Sequence, residues 1–106
     1  MIIARVTGTV VATQKNKRLG GQKLYMVEPL NLQDDSSPTA PHKLVPTGRT
    51  IVALDTVGCG QGQVVLVVQG SSGRMTDATK DLPADAVIVG IVDTASMAGN
   101  TVYTAP

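Results

Sequence analysis

The 106-residue sequence predicts an all-β fold, a small five-stranded closed barrel of the OB type with one short helical segment. Three observations carry that expectation. The chain holds 15 Val, 12 Thr and 5 Ile, β-branched residues that are stiff at χ1 and suit a pleated surface. Its apolar runs are of strand length and are separated by glycine-rich or proline-rich stretches, with no repeat at a solenoid period. Glycines lie inside two of those runs, Gly8 and Gly90, where they mark the bulges or sharp bends that a strongly curved sheet requires. A chain of this length forms one domain, here spanning residues 1–106.

The first strand is read from residues 1–13, where Arg5, Thr7 and Thr9 alternate with Ala4, Val6, Gly8 and Val10 at period two. Residues 14–22, QKNKRLGGQ, are polar and basic and form an exposed loop closed by Gly20 and Gly21. A second strand runs over 23–32. From Gln33 to Arg49 the chain carries Asp34, Asp35, Ser36, Ser37 and the prolines Pro38, Pro41 and Pro46. Proline removes a ladder donor, so this stretch is read as a long loop at the tip of a hairpin.

Residues 50–57 form the next strand, followed by the turn Val57-Gly-Cys-Gly-Gln-Gly62, whose glycine density calls for positive φ. Residues 63–69, QVVLVVQ, have almost no polar interruption and are read as a strand covered on both faces. Gly70 to Arg74 is another turn. Met75–Leu82 could form a short helix that Pro83 ends. Residues 86–92, AVIVGIV, are a further apolar strand, and 101–104 a last short one.

Composition narrows function. The core must be Val, Leu and Ile, because there is no Trp, no Phe and only Tyr25 and Tyr103. A core so thin leaves a lone subunit marginal, and burial between subunits would complete it. Nine Lys and Arg against eight Asp and Glu give a net charge of +1, well short of the basic excess that grips phosphates, so no nucleic acid is expected. The single Cys59 cannot form an internal disulfide and suits the cytosol. No signal peptide is read at the start and no apolar run approaches a membrane span, so no membrane association is expected.

Enzyme chemistry finds little support. His42, the one histidine, sits between Pro41 and Lys43 and reads as a solvated loop residue rather than a triad or zinc ligand. Cys59 reads as a small turn-filling residue. Asp55, Asp77, Asp81, Asp85 and Asp93 fall at strand ends and in one polar segment, where they serve surface or turn hydrogen bonding. Lys15, Lys17, Arg18 and Lys23 form the one basic cluster, read as a wet loop. The glycines at 58–62 and 70–73 do not open a sizeable helix, and no GK[ST] phosphate loop is present. No catalytic residue, cofactor site or metal site is expected.

Three segments resemble the pentameric vertex proteins of bacterial microcompartment shells, the EutN/CcmL-type proteins of carboxysomes and metabolosomes. They are MIIARVTGTVVATQKNKRLGGQKLYMVE, VALDTVGCGQGQVVLVVQGSSGR and PADAVIVGIVDTASMAGNTVY. The most specific pieces are Asp55–Gly62, similar to the family's Asp-x-Val-Gly-Ala-Gly-x-Gly turn, then Gly70–Arg74, and Ile91-Val92-Asp93. The resemblance implies a cyclic homopentamer, without a reaction of its own, that caps the fivefold vertices of a cytoplasmic shell tiled by hexagonal proteins. It places Gly58, Gly60 and Gly62, together with Gly70, Ser71, Ser72 and Arg74, at the axial pore or the subunit contacts.

At the axis, the Ser71 and Ser72 hydroxyls and one Arg74 charge per subunit would favour anions. The sequence departs from the family at Cys59 and Gly73, where alanine is common, and at Gln63, where glutamate is common; its 33–49 loop is longer than usual. The alternative is a stand-alone OB-fold module binding nucleic acid or a small ligand, which lacks the stacking aromatics such a face uses. A small enzyme built on Cys59 or His42 is the third reading.

Overall fold

The computed structural model describes residues 1–12, 21–33, 43–70 and 85–106. Eight strands lie among the described residues: β1 (Ile2–Val10), β2 (Leu24–Gln33), β3 (Lys43–Pro46), β4 (Ile51–Asp55), β5 (Val64–Gln69), β6 (Ala86–Ile91), β7 (Thr94–Met97) and β8 (Asn100–Thr104). No α-helix is found among the described residues. The short helical piece expected over Met75–Leu82 lies outside the described residues.

The main sheet runs β1-β5-β6-β4-β2-β3, and a further β1–β2 pairing closes it. Five strands therefore form a barrel, with β1 antiparallel to both β2 and β5 and β4 parallel to β6. Closure removes the sheet edges that would otherwise be exposed along these strands. Alternation fills the interior: Ala4 and Val6 from β1, Tyr25 and Val27 from β2, Ala53 from β4, Val65 and Val67 from β5, and Ala86 and Ile88 from β6. A five-stranded barrel is narrow, so small side chains suffice. Leucine is absent from this interior cluster; Leu54 is buried on the opposite side of the wall from Ala53.

That second side is apolar too. Val64 and Val65 are consecutive and both fully buried, as are Val87 and Ile88, which matches the reading of QVVLVVQ as a strand covered on both faces.

Gly8 marks a bulge, as its position within the first apolar run predicted. The β1–β2 register shifts between Val6 and Gly8, so that Gly8 pairs with Met26 and Val10 with Leu24. A bulge exchanges the faces of all that follows. Gly8 and Val10 consequently leave the face of Ala4 and Val6, where strict alternation had put them, and join the outer wall. A Cβ on Gly8 would stand 2.7 Å from the Met26 methyl carbon, so the glycine makes the notch in which Met26 lies. The β5–β6 pairing shifts as well, between Leu66 and Val67, opposite Gly90 and Ile88.

Two segments differ from the sequence reading. Within the expected loop of 33–49, Lys43–Pro46 pairs with Leu30–Gln33. This strand ends the sheet order, and Pro46 is its last residue, which is where a strand tolerates proline. Beyond the barrel, Thr94–Met97 pairs with Asn100–Thr104 as a separate hairpin. It turns through Ala98 (φ 53°) and Gly99 (φ 80°), the two positive φ values that a tight two-residue turn uses.

Ile88 is fully buried at the centre of the interior cluster. Chemical denaturation of Ile88→Ala should show a loss of about 2–5 kcal/mol, and of Ile88→Val only about 0.5–1.5 kcal/mol.

Candidate functional site

The chain's most specific motif, Asp55–Gly62, is the link between β4 and β5, and it is built around one carboxylate. Asp55 is buried at the end of β4. Its Oδ1 accepts the Val57 amide at 3.0 Å and its Oδ2 the Gly58 amide at 3.0 Å, with the Cys59 amide further off at 3.5 Å. Three successive amides thus converge on one side chain, and the turn hydrogen bonding expected of Asp55 is what the structure shows. Charge-assisted bonds of this kind are the strong ones.

The turn continues with Gly58 at φ +77° and Gly62 at φ +89°, a left-handed region that side chains disfavour. Gly60 has no such φ; its amide donates to Gln63 Oε1 at 2.7 Å. The far end is fastened to β1. The Gly62 amide donates to the Val6 carbonyl at 2.8 Å, the Val6 amide to the Gln63 carbonyl at 2.9 Å, and Arg5 Nη1 to the Gly62 carbonyl at 2.7 Å.

Cys59 closes the barrel beneath this turn. It is buried in the interior cluster, and the Tyr25 hydroxyl donates to its carbonyl at 3.0 Å. Burial, then the nearby Asp55 charge, then a hydrogen bond to Asp55 push its thiol up to about 12. The thiolate needed for nucleophilic or redox work is thereby suppressed. No cluster of three or more potential metal ligands occurs among the described residues. Cys59 fills the turn, as expected of it; His42 lies outside the described residues.

The structure brings Gly58, Gly60 and Gly62 together in one turn. Gly70 stands apart from them, directly after β5, exposed, at φ +66°, with its amide donating to the Asp85 carbonyl at 2.6 Å. Ser71, Ser72 and Arg74, expected beside it, lie outside the described residues. What sequence reasoning missed is the neighbourhood of Arg5. Its guanidinium, besides holding Gly62, stands 5.9 Å from the ring centroid of Tyr103 on β8, within cation–π range. Nothing local in the sequence pairs these two residues; their contact follows from the unforeseen β7–β8 hairpin.

The family described as ethanolamine utilisation protein EutN/carboxysome matches residues 1–93. A bacterial microcompartment shell vertex protein of Rhodospirillum rubrum, GrpN, is 44% identical over 94 residues, covering 89% of this chain and 94% of the relative. The carboxysome shell vertex protein CcmL of Synechocystis sp. is 39% identical, covering 97% of this chain and 93% of its own. Among solved structures, the GrpN pentameric microcompartment shell protein superimposes with a TM-score of 0.72 at 41% identity, over 92% of this chain and 99% of that one.

Two measurements check the turn. Gly58→Ala and Gly62→Ala should each lower unfolding free energy by about 1–2 kcal/mol, whereas Gly60→Ala should stay within about 0.5 kcal/mol of the parent. Thiol labelling should find Cys59 inert in the native protein at pH 8, below its raised pKa, and reactive once denaturant exposes it. Its protonated form is the one the fold favours, so its contribution to stability is complete below pH 9 and fades as pH rises toward 12.

Proposed function

The chain belongs to the EutN/CcmL family, whose curated members are bacterial microcompartment shell vertex proteins, and on that premise we propose that five copies of it close a fivefold vertex of such a shell. The observation that carries this reading is the barrel's outer wall. On β1, β2 and β4 the row Gly8–Met26–Val52 carries no charged residue and leaves Met26 and Val52 exposed, and the row beside it, Val10–Leu24–Leu54, is apolar too, its Leu54 already buried within the chain. A wall that is apolar outside as well as inside gains most from burial against neighbours.

A ring suits it. Head-to-tail contacts around an axis use two different surfaces of each subunit and close when the rotation fits. The pentamer of the similar shell protein supports the number five. Hexagonal shell proteins are the remaining partners, meeting the ring at its rim, and the assembly lies in the cytoplasm as part of the shell. Gly58, Gly60 and Gly62 belong to a rigid turn at one end of the barrel, and Gly70 to the exposed position directly after β5; in this reading both lie at the axial opening or at subunit contacts.

The role is structural and non-catalytic. The thiol is held in its unreactive form, and the Asp55 carboxylate is engaged by backbone amides rather than offered to a substrate. A nucleic-acid module is disfavoured by a net charge of +1 and two tyrosines, of which Tyr25 is buried.

Native mass spectrometry tests the reading. The expected species is five times the 10.9 kDa chain, unchanged by added oligonucleotide. A stable monomer at high concentration, or a monomer that binds oligonucleotide, overturns it.

A further inference from the structure

Two surfaces of the chain are incomplete, and they complement one another. The first is the outer β1–β2–β4 face, where Met26 is 37% and Val52 49% exposed. A recess of about 380 Å³, lined in part by Val10 and Leu24, opens beside it. Its two rows of Gly, Val, Met and Leu carry no charge. The second is the β7–β8 hairpin, which joins no strand of the barrel sheet. A two-stranded sheet standing alone is marginal in water and needs a surface to pack on.

The hairpin is tied to its own barrel near its base. The Val92 amide, just before the hairpin, donates to the Val64 carbonyl of β5 at 2.8 Å, Tyr103 lies under Arg5, and β8 comes close to the edge strand β3. Its turn end is exposed from Ser96 to Thr101, and Met97 is 42% exposed. Residues 94–106 contain no Asp, Glu, Lys, Arg or His. The hairpin therefore brings no ionised side chain to the contact, and the Gly8–Met26–Val52 row offers none; the charges nearest to it, the cross-strand pair Arg5 and Glu28 and Lys23 at the recess, stand at its borders. Met97 and Met26 are also flexible enough to shape themselves to one another.

We propose that the β7–β8 hairpin of each subunit lies on the outer β1–β2–β4 face of the next copy, with Met97 seated against Met26 and Val52. This rests on the pentameric reading above and adds to it the contact that makes the ring. Because arm and face are different surfaces, each subunit gives one and receives one. That is the heterologous geometry from which an odd-numbered ring is built.

Site-specific cross-linking tests the contact. Cys59 is buried with a raised pKa, so the parent protein gives no background with a short bismaleimide. The double variant Met97→Cys/Val52→Cys should give a ladder of covalent multimers up to five, while each single variant gives none. In a second test, Met97→Asp should raise the concentration at which the ring dissociates by about tenfold or more with circular dichroism unchanged, because it would place a carboxylate against an apolar face. A pentamer whose double variant gives no ladder, or whose Met97→Asp form dissociates like the parent, overturns the inference and leaves the vertex reading standing. A parent protein that forms no pentamer overturns both.

Discussion

The constraint on which this molecule depends is that a wall of valine is apolar on both sides. A five-stranded barrel needs only one residue in two for its interior, and Ala4, Val6, Val27, Val65, Val67 and Ile88 supply it. Yet the alternate positions are filled by the same kind of side chain: Leu54, Val64 and Val87 point away from the interior and are nevertheless buried. Those three are covered within the chain itself, whereas Met26 and Val52 on the same outer wall stay exposed, where an apolar side chain gains only from burial against a neighbour. The strands have the composition of a layer inside something larger, and shell assembly is what gives that composition a purpose.

How much of this was legible in the sequence depends on what signals each element. Long valine runs declare strands regardless of context, so β5 and β6 were readable nearly to the residue. The β4–β5 turn was readable as well, since Gly58 and Gly62 occupy backbone conformations that leave few other choices. The bulge at Gly8 could be foreseen, but not its consequence. Periodicity gives which residues alternate, whereas the face on which they emerge after a bulge depends on the partner strand. The register with Met26 thus moved Gly8 and Val10 to the outside.

Two strands escaped for opposite reasons. Lys43–Pro46 sits in a proline-rich stretch whose composition speaks for a loop, and it survives because the sheet places it at an edge, where a missing amide harms nothing. Thr94–Met97 has only Ala95 and Met97 as apolar residues, too little for a periodic signal. It becomes a strand because Ala98 and Gly99 turn the chain back on itself. Burial of Asp55 was likewise invisible. An aspartate before a glycine-rich turn announces hydrogen bonds to that turn, but only the packing of β4 shows that the carboxylate accepting them is itself buried.

Arg5 links the parts that matter for assembly. It lies on the outer face of β1, opposite Glu28 on β2 and Val64 on β5, so its backbone is fixed by ladders on both sides. From that anchor it holds the Gly62 carbonyl and covers the Tyr103 ring. The glycine turn and the hairpin, which share no strand, are thereby referred to one point on the barrel wall. A heterologous ring closes only if the angle between its two contact surfaces is the same in every copy, since a small error repeated five times leaves a gap. An arm free to swing would not set that angle. An arm whose base is bonded to the barrel at Val92 and clasped at Tyr103 can set it, and the rigidity of the barrel then becomes the rigidity of the ring.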